Sequence, residues 1–217
     1  MRLTSKRFQA LGVAAVLGTA TTLGLGGCGG GESPSADAAG ATGSGLEPQA
    51  VADMLHAVMA ADRKVYVANV VNRLTKVQDV QIRDPETGEM KKLKGSEEWD
   101  QTFGTLPLPA QQFRYGSEEA FKKNNNFEYG LISSWSINKK HMPKSDFEKE
   151  KIKAMEETGK PQYGTEEVGG ETFFVAMYPD RATAKACWDC HNKHKDSPKT
   201  DFKQDDVMGG IVIRIPV

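Results

Sequence analysis

The chain has 217 residues, 38% of them hydrophobic, so it can bury one ordinary core and leaves little room for a second domain. Its 28 basic and 29 acidic side chains nearly cancel. This balance provides no basic surface field of the kind that binds nucleic acid, and we predict no nucleic-acid partner.

The N-terminus has the pattern of a bacterial lipoprotein signal peptide. Three basic residues precede an uncharged apolar stretch at residues 8–25. The sequence Leu25-Gly26-Gly27-Cys28 then resembles a lipobox, in which cleavage precedes a cysteine that is acylated. We predict that residues 1–27 are removed and that Cys28 carries a lipid anchor; a free or intermolecularly paired thiol is the alternative. Gly29 replaces the aspartate that usually retains lipoproteins at the inner membrane, which favours the outer membrane.

Residues 28–46 are rich in Gly, Ser and Ala and contain few large apolar residues. Such a segment cannot bury enough surface to offset its ordering entropy, so we predict a flexible tether. The folded domain is expected to span residues 47–217 and to begin with a long amphipathic helix at Val51–Lys76. The apolar residues of that helix recur at multiples of three to four, at Leu55, Met59, Tyr66, Val70 and Leu74.

The middle of the domain alternates short elements. We predict a hairpin or ordered loop over Val77–Leu93, with a turn at its Asp-Pro-Glu-Thr-Gly sequence. A helix at Ala110–Lys123, a strand at Tyr129–Ile137 and a charged surface helix at Phe147–Glu157 follow.

The last third reads as a β-hairpin, a short helix and a final strand. Gly164–Val168 and Glu171–Tyr178 flank two glycines that suit a tight turn. Asp180 is expected to cap the helix that follows. The alternating isoleucines of Ile211–Ile215 indicate a strand with one buried face. Strands without βαβ alternation predict an α+β fold.

The short helix contains a C-x-x-C-H motif formed by Cys187, Cys190 and His191, which is typical of covalent c-type haem attachment. Two thiols on one helical turn can each form a thioether to a vinyl group of one porphyrin, and the imidazole can bind the iron. The alternatives are a dithiol redox pair, which lacks its usual βαβ context, and a plain disulfide, strained at this spacing. Another is a zinc site using these cysteines with His194 or His191, which lacks a second cysteine pair.

The ligand on the opposite side of the iron is not set by the motif. His56 lies at the flank of the apolar stripe of the long helix, between Ala52 and Ala60, whose small side chains leave room for a porphyrin edge. Met59 lies inside the stripe, where a methionine is usually a core residue, and is the second candidate. The remaining possibilities are Met54, His141, Met142, His194, Met208 and an open or water-ligated iron.

Residues Gly164–Pro216 resemble a bacterial domain-of-unknown-function family of exported c-type haem proteins and sensor-kinase ectodomains. The resemblance implies a PAS-like fold, in which a long N-terminal helix lies beside a five-stranded antiparallel sheet with one haem c. It also implies a role in low-potential redox chemistry or sensing. Beyond the haem motif, the residues that carry it are Tyr163-Gly164, Gly169-Gly170, Tyr178-Pro179, Ala186, Asn192, Asp201-Phe202-Lys203 and Asp206-Val207-Met208-Gly209-Gly210.

Together these features predict a lipid-anchored monohaem c-type cytochrome on the periplasmic side of the cell envelope. It would pass single electrons to redox partner proteins, with no catalytic residues of its own. The alternative is a haem-based redox or gas sensor that acts through a separate signalling partner. A peroxide-reducing enzyme would need a second haem or a distal acid–base pair, and the sequence shows neither.

Overall fold

The computed structural model describes residues 45–123, 126–183 and 185–217. These belong to the compact unit formed by residues 44–217. The predicted signal peptide, Cys28 and nearly all of the predicted tether lie outside the described residues. Within the described ranges, no helix is both long enough and apolar enough to cross a membrane.

The domain begins with the long helix that the apolar spacing predicted. It runs as α1 from Pro48 to Val65 and continues as a π-helical segment from Tyr66 to Val77. Pro48 lies in the first turn, where its missing N–H leaves no helical bond unmade. In the second part the backbone bonds reach five residues back, as in the 2.9 Å bond from Gln78 N–H to the Arg73 carbonyl. The apolar spacing did not predict this change of winding.

Two small strand pairs follow. Strands β1 (Gln81–Arg83) and β2 (Met90–Lys92) form the predicted hairpin. Its turn is held by buried Asp84, which accepts hydrogen bonds from the Lys91 ammonium at 2.5 Å and from two backbone amides. Strands β3 (Lys94–Ser96) and β4 (Thr105–Pro107) pair in parallel.

The middle elements agree with the prediction except for one strand. Helix α2 spans Pro109–Lys123, β5 spans Glu128–Ile132 and α3 spans Asp146–Thr158. The strand predicted at Tyr129–Ile137 therefore ends early. The reason is a turn at Ser133, whose hydroxyl donates to the Met208 carbonyl at 2.6 Å and accepts the Trp135 N–H at 3.0 Å.

The main sheet contains β6 (Gln162–Val168), β7 (Glu171–Arg181) and β8 (Val207–Pro216) with β5. Its order is β5-β8-β7-β6 and every pairing is antiparallel. In the described residues this sheet has four strands, one fewer than the resemblance implied. Helix α4 (Lys185–Lys193) lies between β7 and β8 in the chain. The predicted helix cap at Asp180 is wrong, because β7 continues through that residue.

Both faces of the sheet are covered. On one face α1 and α2 contribute Ala52 and Phe113 to a cluster with Tyr178 and Ile213. On the other face α3 packs against Val175, Met177 and Val212. Strand β7 is apolar on both sides, as predicted for a central strand. The mixture of helices and antiparallel strands confirms the α+β class.

Candidate cofactor site

Helix α4 places the three residues of the C-x-x-C-H motif on one turn. Cys187 is half-buried, Cys190 is exposed, and neither forms a disulfide. Positions three and four apart lie on the same side of a helix, so both sulfurs and the His191 ring can reach one flat ligand. The disulfide alternative has no support in this geometry.

The His191 ring is half-buried beside a core aromatic residue. It meets Phe202 edge to face, with the ring centroids 5.9 Å apart and the planes at 86°. Burial is the main cause that lowers the pKa of His191, with the charge of His194 adding to it. The imidazole is therefore neutral near pH 7, which is the form that binds metals.

One nitrogen of the His191 ring, Nδ1, is buried and has no hydrogen-bond partner among the described residues. A buried polar atom without a partner is uncommon in folded proteins and often indicates an absent ion or ligand. A neutral imidazole with such an atom, next to two free thiols, fits the donor set that a c-type haem requires.

Asn192 fixes Phe202 in this position. Its side-chain amide donates to the Phe202 carbonyl at 2.8 Å and accepts the Phe202 N–H at 3.0 Å. Phe202 is only 2% exposed and also meets Trp135 edge to face, with centroids 5.6 Å apart. Asn192, the residue after the motif, thus fixes the position of the Phe202 ring against which the His191 ring packs.

Glu97 reaches the site from strand β3 and the turn that follows it. Its carboxylate lies 3.5 Å from Nε2 of His194. Although Cys190 is exposed as a residue, the protein around its sulfur partly desolvates the thiol and raises its pKa, and the charge of Glu97 raises it further. Redox-active dithiols instead have lowered thiol pKa values, so the dithiol-exchange alternative has no support here.

Asp180 lies between the motif and helix α1. It accepts a 2.6 Å hydrogen bond from the Arg63 guanidinium, and both side chains are largely shielded from solvent. Burial lowers the pKa of His56, while the charges of Asp53 and Asp180 oppose that shift. The Asp180 charge acts in the same sense on His191. One carboxylate is thus within electrostatic reach of both histidines.

His56 is half-buried and stacks on Tyr178. The ring centroids are 3.9 Å apart and the planes are 4° from parallel. The Tyr178 hydroxyl donates to Asp53 at 2.6 Å, and the Tyr163 hydroxyl donates to the same oxygen at 3.0 Å. His56 therefore lies in an ordered aromatic cluster at the sheet, and its role as an iron ligand remains a prediction.

The other ligand candidates are dispersed. Met59 packs against the core cluster beneath α1, and Met54 on the same helix is 50% exposed. His141 contacts the Arg114 guanidinium, and Met142 beside it is 40% exposed. In the described part of the chain, no group of three or more His, Cys, Asp or Glu side chains is placed to hold a metal ion. The described residues thus supply no tetrahedral donor set for zinc.

Sequence reasoning did not assign five residues to this site: Arg63, Asp180, Glu97, Asn192 and Phe202. Arg63 and Asp180 are 117 positions apart, and no local pattern links them. Glu97 lies in a stretch without periodicity. Asn192 and Phe202 belong to the residues that carry the family resemblance, but their mutual contact could not be read from that pattern.

The Tll0287-like family model matches residues 46–216. The chain belongs to the Tll0287-like family. The family resemblance predicted from the sequence is thereby confirmed. One solved structure, described as the crystal structure of the cyanobacterial heme-protein Tll0287, is 12% identical to this Tll0287-like chain. It has a TM-score of 0.45 over 79% of this chain and 97% of the other. A structural similarity this weak supports no conclusion about the structure of this chain. No curated protein matches the chain significantly.

Proposed function

We propose that this Tll0287-like chain binds one haem c through thioethers to Cys187 and Cys190, with His191 as an iron ligand. The observation that carries the proposal is the placement of two free thiols and a half-buried imidazole on one turn of α4, with one ring nitrogen lacking a partner among the described residues. The protein after which the family is named is described as a cyanobacterial heme-protein, which supports the choice of cofactor.

Bound haem c supplies a one-electron iron couple. The residues of this chain set the conditions around it. Asn192 and Phe202 hold the His191 ring in one orientation. The Arg63–Asp180 pair keeps a negative charge near the histidines compensated by a positive one. We include in the proposal a PAS-like arrangement, in which α1 lies against an antiparallel sheet and α4 lies in the connection between its two inner strands, β7 and β8.

The function that we propose is one-electron transfer in the cell envelope, by a protein anchored through a lipid on Cys28 on the periplasmic side. The outer membrane is favoured over the inner membrane, and the partners are redox proteins. His56 is proposed as the second iron ligand, because it is half-buried on α1 and lies near the same carboxylate as His191. Met59 is the alternative, although its side chain packs on the core. Two protein ligands would leave no iron position for a substrate.

One observation favours the second function, a haem-based redox or gas sensor that acts through a separate partner. His56 stacks closely on Tyr178, whose hydroxyl is bonded to Asp53. If His56 keeps that stack in the mature protein, the iron position opposite His191 is open to a small gas.

The first experiment measures the intact mass of the mature protein made in a host competent for cytochrome maturation. We expect the added mass of one haem, and its loss when Cys187 and Cys190 are both replaced by Ala. A mature protein that lacks the added mass of a haem contradicts the proposal. The same mass measurement tests the lipid anchor, because a lipid on Cys28 adds its own mass.

The second experiment separates the two functions by absorption spectra with and without carbon monoxide. Electron transfer with His56 as ligand predicts a low-spin spectrum that the gas does not change, and a high-spin, gas-binding spectrum for His56→Ala. His141→Ala is the matched control, since that histidine contacts Arg114 instead. A wild-type spectrum that shifts promptly with the gas supports the sensor.

A further inference from the structure

Helix α1 has a second apolar face, opposite to the one that packs on the sheet. Its inner face buries Ala52 and packs Leu55 and Met59 on the core cluster. Its outer face presents four apolar residues to solvent. Three of them are large and substantially exposed, with Met54 at 50%, Val58 at 61% and Val65 at 54%, and the fourth is exposed Ala61.

These four residues form a continuous row rather than scattered points. Their spacing is four, three and four, which places them within roughly 60° of one another on a helix turning 100° per residue. The buried face lies on the far side of the axis. Single exposed apolar residues are ordinary, but an aligned row on a helix that already packs elsewhere indicates a surface that is covered by another molecule.

A groove runs beside the row. Its volume is about 360 Å³, and it is bounded by Met54 and Val58 on one side and by Phe127 and Tyr129 on the other. The groove extends the apolar surface beside the row.

We propose that a second copy of this chain covers the row, in a parallel pair of α1 helices. A four–three spacing of apolar residues is self-complementary across a two-fold axis. Val58 and Val65 occupy the positions where β-branched residues favour two-stranded parallel pairs. On either side of the contact between the two helices, Ala57 of one copy faces Asp62 of the second copy. No like charges therefore oppose one another there.

The chain that precedes α1 supports a parallel arrangement. Cys28, the proposed lipid attachment site, precedes Pro48 by 20 residues. A segment of that length reaches at most about 70 Å. Two copies anchored in one membrane leaflet therefore have the N-termini of both α1 helices tethered to the same surface and meet at a raised effective concentration. This step rests on the proposed lipid anchor.

The lipid anchor also compensates for the short length of the contact between the two α1 helices. From Met54 to Val65 the row rises 11 residues, about 16 Å at 1.5 Å per residue. Isolated helices that pair over so few turns associate weakly. We therefore expect pairing to be strong on a membrane and concentration-dependent in solution.

The test is disulfide cross-linking of the full lipid-anchored protein, reconstituted in vesicles of neutral phospholipid. Met54→Cys and Ala61→Cys should each give a covalent dimer under mild oxidation, because each position faces its own copy in a parallel pair. Val168→Cys is the matched control, since that residue is also 50% exposed but lies at the end of β6, away from α1. We expect at least ten times more dimer from the two α1 variants than from the control.

Adding Val58→Asp to Met54→Cys should reduce the dimer at least tenfold and leave the absorption spectrum unchanged. Dimer yields at the level of Val168→Cys would overturn the proposal. Cross-linking of Met54→Cys only to Val65→Cys would overturn the parallel order, and cross-linking to a different protein would overturn the choice of occupant. The mass of the same samples reports haem and lipid independently, so failure of pairing is distinguishable from failure of the proposed function.

Discussion

Asn192 is the residue whose loss should affect both the stability of the domain and the state of the iron. Asn192→Ala removes two hydrogen bonds to the backbone of Phe202, at 2.8 and 3.0 Å. An unpaired backbone group costs about 1–3 kcal/mol when buried. Because Asn192 is only half-buried, water can replace part of the lost bonding, and we expect a loss of about 2–3 kcal/mol in the free energy of unfolding.

The same change should release the Phe202 ring that rests on His191. We expect a mixed or high-spin spectrum and increased binding of carbon monoxide by the variant holoprotein. Urea denaturation measures the stability, and absorption spectra measure the spin state. Asn138→Ala is the matched control, because that exposed side chain accepts one bond, from the Lys140 N–H at 3.0 Å. Its loss should cost less than about 1 kcal/mol.

Two results would refute this reasoning. One is a stability loss for Asn192→Ala no larger than that for Asn138→Ala, which would mean that the bonds to Phe202 contribute little. The other is an unchanged spectrum in a clearly destabilised variant. In that case the Phe202 wall supports the fold but does not orient His191.

Arg214→Met should lower the free energy of unfolding by about 3 kcal/mol, because it leaves the shielded Glu148 carboxylate without its cation. Urea denaturation should show partial recovery when Glu148→Gln is added, and no recovery would contradict the explanation. Gly209→Ala places a methyl group 2.6 Å from a backbone oxygen of β5 and should cost about 1–3 kcal/mol, whereas Gly130→Ala points into open space and should leave Tm nearly unchanged. Hydrogen bonds hold the pKa of Asp84 at about 2, below its ordinary 3.8. Its contribution to stability is therefore complete above about pH 4 and is lost as the pH falls towards 2. Hydrogen exchange in the β1–β2 hairpin should show this dependence, and Asp84→Asn should abolish it.

Much of the fold could be predicted because its signals are local. The apolar spacing of the long helix, the paired glycines between β6 and β7, and the alternating isoleucines of β8 each report the environment of their own element. The exceptions depend on distant contacts. The strand after Tyr129 ends early because Ser133 bonds to Met208, 75 residues away. Asp180 continues a strand beside β8 instead of capping a helix.

The residues of the site likewise divide into those that local sequence signals predict and those that depend on distant contacts. Its motif is contiguous, so Cys187, Cys190 and His191 could be named from spacing alone. The groups that surround these three residues come from several other segments of the chain and could not be named from spacing. The pairing of Arg63 with Asp180 depends on how α1 meets the end of β7, and the approach of Glu97 to His194 depends on how the turn after β3 meets the end of α4.

Strand β8 occupies an inner place in the sheet although it is the last element of the chain. It joins β5 to β7, so the sheet is in two separate parts until residues 207–216 have been synthesised. The pairing of Glu128 with Arg214 closes a loop of more than eighty residues, and such distant contacts form slowly. The cysteine-bearing helix emerges just before this closing step. On the proposal of a covalently attached haem, the attaching enzyme would meet this helix in an incompletely folded chain, and removal of β8 should prolong that period of access.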